Sequence, residues 1–134
     1  MAVKSAGQII VWEWKSQSYI INQKGLAHDS ISLDATRNGK FIATGTTQGE
    51  VKLWEKSTNM CISTFSDHES SVTDLKFSNP TTLFSCSLDG TVNAYDALKY
   101  RKFRTYRPDT KCQLHSLTLD EAGEIVFAGA FDPY

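Results

Sequence analysis

The sequence predicts an all-β fold made of repeated antiparallel sheets, and three observations support this prediction. Similar segments recur about every 42 residues along the 134-residue chain, and a fixed period of about 20–50 residues is typical of folds assembled from stacked repeats. Apolar residues alternate within short runs rich in Val, Ile, Thr, Phe and Tyr, as half-buried strands require. No long segment has the period and the end signals of an amphipathic helix.

Three blocks of sequence define the repeat. Their spacing drifts between 41 and 43 residues, which places the changes in length in turns, because turns absorb insertions while paired strands keep their register. The matching segments are, block by block, 7–12, 49–54 and 90–95; 32–35, 74–77 and 116–119; and 43–46, 84–87 and 127–130.

The repeat divides into about four short strands. Asn38-Gly39 and Asp89-Gly90 are strong two-residue hairpin signals, and Gln48-Gly49 is a weaker one. In chain order the predicted strands are 8–14, 18–23, 30–36, 40–46, 50–55, 60–65, 71–77, 82–87, 91–96, 101–107, 113–119 and 124–130.

Four antiparallel strands in about 40–45 residues are typical of one blade, the four-stranded sheet from which a β-propeller is built. The sequence therefore predicts a partial propeller of about three blades. Grouping the strands by the period predicts a half-blade at 7–25, complete blades at 26–66 and 67–108, and a second half-blade at 109–134.

The second complete repeat resembles the WD-repeat family. It contains His68, the strand 72–77, the run Ser-Leu-Asp-Gly-Thr-Val at 87–92, and the pair Tyr95-Asp96. The resemblance implies a buried hydrogen-bonded network, which specifies a single arrangement of the blade when every member is satisfied. The residues expected in this structural network are His68, Ser87, Asp89, Tyr95, Thr46, Trp54 and Trp12.

The other repeats depart from the pattern. Leu26 and Gln48 stand where the second complete repeat has its His and Asp. In the last repeat Thr110 stands at the His position and Ala130 at the Ser position, while Asp132 is retained. We therefore expect packed apolar strands to hold the blades, with the polar network optional.

Two segments are not general to WD repeats. Residues 10–20 and 99–106 resemble the periodic tryptophan protein family. That resemblance implies a nuclear and nucleolar scaffold of the small-subunit processome. Its expected partners are other processome proteins and, directly or indirectly, a small nucleolar ribonucleoprotein and the ribosomal RNA precursor. It also implies a piece of the N-terminal propeller of a longer protein. The alternative is a general WD-repeat adaptor that binds peptide motifs in signalling or ubiquitin pathways.

Composition and spacing argue against several other classes. Fourteen basic and 15 acidic residues give a net charge of -1, which attracts the chain as a whole neither to nucleic acid nor to a membrane. The longest apolar runs have four residues, so neither a membrane span nor a signal peptide is expected. Cys61, Cys86 and Cys112 are expected to be reduced thiols that pack as small buried groups.

No catalytic site, metal site or cofactor is expected. The Cys and His residues lack the close spacing of zinc ligands, and the chain has no Gly-rich phosphate-binding loop. The cysteines and histidines also form no pairing of nucleophile and base along the predicted strands. We therefore expect a non-enzymatic protein.

One segment stands out from the neutral background. The basic segment, residues 99–107, contains five basic residues, three aromatic residues and no acidic residue. Three interpretations remain open: contact with RNA, since basic groups neutralise phosphates and aromatic rings stack on bases; contact with an acidic protein; or a solvated outer strand of a blade. The candidate contact residues are Lys99, Arg101, Lys102, Arg104 and Arg107.

The two half-blades lead to one further expectation. Closed propellers have about four to eight blades, more than this chain supplies. We expect two copies to pair end to end, so that their half-blades complete each other in a six-bladed ring.

Overall fold

The computed structural model describes residues 7–13, 18–26, 30–58, 60–79, 81–109 and 111–131. Within these ranges all regular structure is β, which confirms the predicted fold class, and no helix there has the length and apolar character to cross a bilayer. The strands are β1 (Gly7–Glu13), β2 (Ser18–Leu26), β3 (Ser30–Ala35), β4 (Phe41–Thr46), β5 (Val51–Glu55), β6 (Met60–Phe65), β7 (Val72–Asn79), β8 (Thr82–Ser87), β9 (Val92–Asp96), β10 (Arg101–Tyr106), β11 (Gln113–Leu119) and β12 (Val126–Phe131).

Within each sheet the strands pair antiparallel with their neighbours in sequence. Two sheets have four strands, in the orders β3-β4-β5-β6 and β7-β8-β9-β10, and β1-β2 and β11-β12 form two-stranded sheets. The predicted partial propeller of two complete blades and two half-blades is confirmed. The first strands β3, β7 and β11 lie side by side, so they form the inner edge of the arc, and β6 and β10 form its outer edge.

A β-bulge recurs at the same place in β3, β7 and β11, the strands on the inner edge of the arc. Single residues lie outside the pairing between β3 and β4, between β7 and β8, and between β11 and β12. These residues are Ile31, Thr73 and His115, each 42 residues from the next. A bulge bends and twists a strand locally, so the same distortion is built into every repeat.

Among the described residues, the larger apolar core lies between the two complete blades. Leu53 and Phe65 of the first blade meet Leu75, Leu83 and Tyr95 of the second, and all five side chains are buried. The rings of Phe65 and Tyr95 are 4.4 Å apart between centroids and tilted by 31°. Full burial of one such apolar side chain stabilises a protein by about 1.5–3 kcal/mol, so this interface is a major source of stability.

A second, smaller core joins the second blade to β11 and β12. Cys86 and Val92 pack there against Leu114 and Leu117. The expectation for the cysteines holds for Cys86, which is buried, but Cys61 is exposed because it lies on the outer strand β6.

Aspartate side chains connect the inner strands of consecutive sheets. Asp34 Oδ2 accepts a hydrogen bond from the Phe77 amide at 2.7 Å, and Asp74 Oδ2 accepts one from the Leu117 amide at 2.8 Å. A charged acceptor makes a stronger hydrogen bond than a neutral one. In both contacts a carboxylate of one sheet accepts a hydrogen bond from a backbone amide on the inner strand of the next sheet, and so links the two sheets.

Two hairpin turns press directly against the next sheet. Gly49 and Gly90 both have φ of +84°, a conformation that Gly adopts without steric cost. A Cβ atom on Gly49 would overlap the carbonyl oxygen of His68, and one on Gly90 would overlap that of Cys112. Both the turn and the spacing between sheets therefore require Gly here.

Substituting Ala for Gly49 or Gly90 is expected to lower the free energy of unfolding by about 2 kcal/mol or more, since backbone strain and displacement of the next sheet add together. Gly39→Ala is the matched control: its φ is +71°, but its nearest new neighbour, Lys56 Nζ, would be 3.7 Å away. Urea denaturation measures the difference. Equal losses at positions 39 and 49 would contradict the role given to the contact between sheets.

Candidate functional site

A buried imidazole forms the centre of a polar network in the second blade. His68, just before β7, has Nε2 2.6 Å from Ser85 Oγ. Its Nδ1 is 3.1 Å from Thr91 Oγ1 and 3.3 Å from Asp89 Oδ2. One side chain thus connects the loop that enters the inner strand with β8 and with the turn that follows β8.

Asp89 fixes that turn to the loop. Its Oδ2 accepts a hydrogen bond from the Glu69 amide, and its Oδ1 accepts one from the Thr91 amide, both at 2.9 Å. Hydrogen bonds to a carboxylate are stronger than those between neutral groups. The carboxylate therefore holds two chain segments that are 20 residues apart in the sequence.

The network continues to the outer strand. Asn93 Nδ2 lies 3.3 Å from both His68 Nε2 and Tyr95 Oη. Ser85 Oγ is 3.5 Å from the same Tyr95 oxygen, and Thr105 Oγ1 on β10 donates to Asn93 Oδ1 at 2.8 Å. In the described part of the chain every buried side-chain nitrogen and oxygen has a partner, which is the condition for such a network to stabilise a fold.

The structure brings together three of the predicted network residues, His68, Asp89 and Tyr95. The hydroxyl bonded to His68 belongs to Ser85, two residues before the predicted Ser87. Ser87 lies at the end of β8, where its Oγ accepts from the Asp89 amide at 3.2 Å and donates to the Ser70 carbonyl.

The same two-residue difference occurs in the first blade. Trp54 Nε1 donates to Thr44 Oγ1 at 3.1 Å, whereas Thr46 Oγ1 accepts from the amides of Gln48 and Glu50 in the turn. Trp54 is directly opposite Ile42. Its side chain therefore reaches Thr44, two residues farther along β4, as a diagonal cross-strand neighbour. The side chain of Trp12, together with Thr110 and Asp132, lies outside the described residues.

Besides Ser85 and Thr91, sequence reasoning missed Asn93 and Thr105. Both are polar residues in strands, and Asn93 stands two residues before Tyr95, so the two share a face. A polar side chain on the same face as a predicted core aromatic was the available signal. The residue equivalent to Asn93 in the first blade is Lys52, which contacts Thr64 instead, so comparing the repeats gave no indication of a network there.

Burial determines the protonation of the network. It lowers the pKa of His68, although Asp89 opposes the shift. Burial alone would raise the pKa of Asp89, but hydrogen bonds from Thr91 and from the Glu69 amide outweigh it and lower that pKa. Burial raises the pKa of Tyr95 to about 12. At neutral pH the network therefore consists of an ionised Asp89, a neutral His68 and a neutral Tyr95.

The contacts of Ser85, His68 and Asp89 resemble those of a hydrolytic triad, but their setting differs. Ser85 is 0% exposed and His68 is 5% exposed, so a substrate has no access to the hydroxyl. A catalytic hydroxyl must reach the reacting atom. No group of three or more potential metal ligands occurs among the described residues.

The basic segment lies on the surface. β10 is the outer strand of the second blade, and Lys102 Nζ is 3.7 Å from Asp67 Oδ1. The other four basic residues of the segment are exposed, and none has an ion-pair partner within 4 Å among the described residues. They are Lys99, Arg101, Arg104 and Arg107. The aromatic side chains are about half exposed: Tyr100 50%, Phe103 51% and Tyr106 46%.

The first blade provides an internal comparison for this strand. β6 and β10 are equivalent outer strands, and each has a bulge, at Ile62 and at Phe103 respectively. The sequence of β6, Met-Cys-Ile-Ser-Thr-Phe, contains no charged residue, whereas β10, Arg-Lys-Phe-Arg-Thr-Tyr, contains three. The positive charge of β10 is therefore not a requirement of the blade.

The His68 network leads to a prediction about pH. Because the pKa of His68 is lowered on folding, the unfolded chain binds more protons below about pH 6.5, and stability should fall as pH drops from 7.5 to 5.5. Asp89 contributes in a separate window, below about pH 4. Urea denaturation at several pH values should show a smaller pH dependence in His68→Gln, together with a loss of about 1–3 kcal/mol at pH 7.5.

His115→Gln is the control for this prediction, because the His115 side chain is exposed and borders Phe131 rather than the network. It should keep the pH dependence of the wild-type chain. If His68→Gln kept it as well, the buried imidazole would not be its source.

Known proteins share this sequence pattern. Residues 21–55 and 59–96 match the WD domain, G-beta repeat family. The periodic tryptophan protein 2 homolog of Dictyostelium discoideum is 39% identical over 131 residues, which is 96% of this chain and 14% of that protein. Periodic tryptophan protein 2 of Arabidopsis thaliana is 37% identical over 129 residues, again 96% of this chain and 14% of that protein.

A more distant relative is pre-mRNA-processing factor 19 of Oryza sativa subsp. japonica, 35% identical over 97 residues, which is 71% of this chain and 18% of that protein. The chain thus spans about one seventh of the length of the periodic tryptophan proteins that it matches. The resemblance found in the sequence is confirmed. With two repeats matched and two complete blades formed, the chain belongs to the WD domain, G-beta repeat family.

Proposed function

We propose that this chain is part of a non-enzymatic WD-repeat scaffold that assembles proteins and ribonucleoproteins during small ribosomal subunit biogenesis and processing of the ribosomal RNA precursor. Its place of action is the nucleus, in particular the nucleolus. The match of nearly the whole chain to periodic tryptophan protein 2 from several eukaryotes supports this proposal. Other processome proteins and the small nucleolar ribonucleoprotein are the proposed partners.

The observation that carries the proposal is the charge of β10. Its equivalent in the first blade forms the same kind of outer strand without a single charge, so selection for folding alone does not account for it. Lys99, Arg101, Arg104 and Arg107 are exposed and have no acidic partner within 4 Å among the described residues, so they are available to an anionic partner. The basic segment is therefore the proposed contact with the ribonucleoprotein.

The composition of the segment favours RNA as that anionic partner. Arg101 and Arg104 supply planar guanidinium groups that bind phosphate through paired hydrogen bonds. Tyr100, Phe103 and Tyr106 supply exposed rings on which unpaired bases stack. An acidic protein would use the cations but would gain less from three exposed rings, two on β10 and one in the turn just before it.

Replacing Arg101, Lys102 and Arg104 together with Ser should reduce the recovery of precursor RNA with the tagged chain on the order of tenfold, as the loss of three phosphate contacts predicts. Affinity purification from cell extract, followed by RNA sequencing and mass spectrometry, measures the effect. Recovery should also fall as salt is raised, because counterions compete for the same phosphates.

The control variant removes the same number of charges elsewhere, through Lys40→Ser, Lys56→Ser and Lys111→Ser, and should leave RNA recovery unchanged. Undiminished RNA recovery by the β10 variant would refute the RNA contact. Loss of acidic proteins with RNA unaffected would assign β10 to a protein partner. Enrichment of signalling or ubiquitin-pathway proteins without ribosome-assembly factors would favour the general adaptor instead.

A further inference from the structure

The turn between β9 and β10 contains a backbone conformation that its sequence does not favour. Among the described residues other than glycine, Tyr100 alone has a positive φ, at 54°. In this left-handed region the Cβ atom of an L-residue crowds the following carbonyl oxygen. Gly, Asn and Asp therefore adopt it readily, whereas a bulky aromatic residue does so rarely. The backbone of Tyr100 is held in a strained conformation.

The corresponding turn of the first blade has the same length and the same attachment. The two turns are residues 56–59 and 97–100, four positions between paired strand residues in each blade. In both, the amide of the first turn residue donates to a carbonyl between the first two strands of its blade, at 3.0 Å in the first blade and 2.8 Å in the second. The residue that corresponds to Tyr100 in the sequence is Asn59. Folding of this turn therefore does not require an aromatic side chain.

The rest of the turn is anchored to its blade. Asp96 Oδ1 accepts hydrogen bonds from the amides of Leu98 and Lys99, at 2.9 and 3.1 Å. The side chain of Ala97 is buried in the core between the two complete blades. A ring carried on an anchored turn is already in place before a partner arrives, and such preorganisation lowers the entropy cost of binding.

The Tyr100 side chain lies on the surface and is flanked by positive charge. It is 50% exposed, and its neighbours in the sequence are Lys99 and Arg101, which are both exposed. Proteins hold single-stranded nucleic acid by stacking bases on aromatic rings and by neutralising the adjoining phosphates with cations. The turn provides both kinds of group in three consecutive residues.

We infer that Tyr100 is a base-stacking residue of the basic segment, and that the left-handed turn presents its ring to an unpaired base of single-stranded RNA. The inference rests on the proposed contact of this segment with RNA. It adds that the RNA is single-stranded, because a base inside a duplex is stacked on its neighbours and is not available to the ring. It also explains the strain, since strained residues persist where the surrounding structure holds them and concentrate at binding and active sites.

Tyr100→Asn tests the inference, because it gives the second blade the turn residue of the first. Relief of the backbone strain should raise the midpoint of urea denaturation by roughly 0.5 M. The same change should lower the affinity of the chain for a short fluorescent oligouridylate about fivefold or more, as the loss of stacking on one base predicts. Fluorescence anisotropy measures the affinity. The substitution is thus expected to stabilise the fold and to weaken binding.

Two further oligomers separate stacking from charge. An abasic ribose-phosphate oligomer and an RNA duplex, each of the same length as the oligouridylate, carry phosphates but offer no free base. The wild-type chain and Tyr100→Asn should bind each of them equally well. The variant with Ser in place of Arg101, Lys102 and Arg104 should lose affinity for all three oligomers, because the phosphates are common to them.

Two control variants isolate the ring. Tyr100→Phe keeps the ring and should bind the oligouridylate as the wild-type chain does. Leu98→Asn changes another exposed apolar residue of the same turn, one without a ring, and should also leave the affinity unchanged. Loss of affinity in Leu98→Asn equal to that in Tyr100→Asn would assign the effect to the turn as a whole and overturn the role of the ring.

The outcomes distinguish this inference from the proposed function. If the wild-type chain bound none of the three oligomers, the RNA contact would be refuted, and the role of Tyr100 with it. If the Ser variant lost binding while Tyr100→Asn kept it, the RNA contact would stand and the role of Tyr100 would be wrong. A urea midpoint no higher than that of the wild-type chain, or an equal loss of affinity for the abasic oligomer or the duplex, would also overturn the inference.

Discussion

The contact between the faces of consecutive sheets is the interaction on which the rest of this structure depends. A four-stranded sheet alone has two faces to bury and too few residues to bury either. Packing between the two complete blades buries one face of each. The residues in contact are Leu53 and Phe65 of the first blade and Leu75, Leu83 and Tyr95 of the second. The turn glycines and the inner-strand aspartates matter because they set how closely the sheets approach.

The polar network of the second blade has a different role. A packed apolar interface tolerates small shifts, whereas a buried set of hydrogen bonds is satisfied in only one arrangement. His68, Asp89 and Ser85 hold the entering loop, the second strand and the turn in fixed relation, and Asn93 and Thr105 extend that relation to β10. The first blade, whose Trp54 bonds only to Thr44 among these positions, is held mainly by packing.

Sequence alone predicted much of the fold, because the repeat period, the hairpin glycines and the alternation of apolar residues are local signals. All twelve strands were predicted, although β2 continues to Leu26, three residues beyond its expected end. The exact hydroxyl partners were not: Ser85 and Ser87, like Thr44 and Thr46, share a face of one strand. Which hydroxyl of each pair joins the network depends on the diagonal direction in which Trp54 or Tyr95 crosses to the neighbouring strand. The ion pair of Lys102 with Asp67 joins residues 35 apart in sequence, a distance at which charge pattern has no predictive value.

The order of strands within each sheet also has a kinetic consequence. Within each sheet the strands pair only with their neighbours in sequence, so each loop that must close before pairing is short, and closure of short loops costs little entropy. Chains rich in such local contacts fold faster than those dominated by distant pairings. Strand pairing within a blade can therefore begin as soon as its own stretch of chain leaves the ribosome, and the core is completed when the next blade packs against its apolar face.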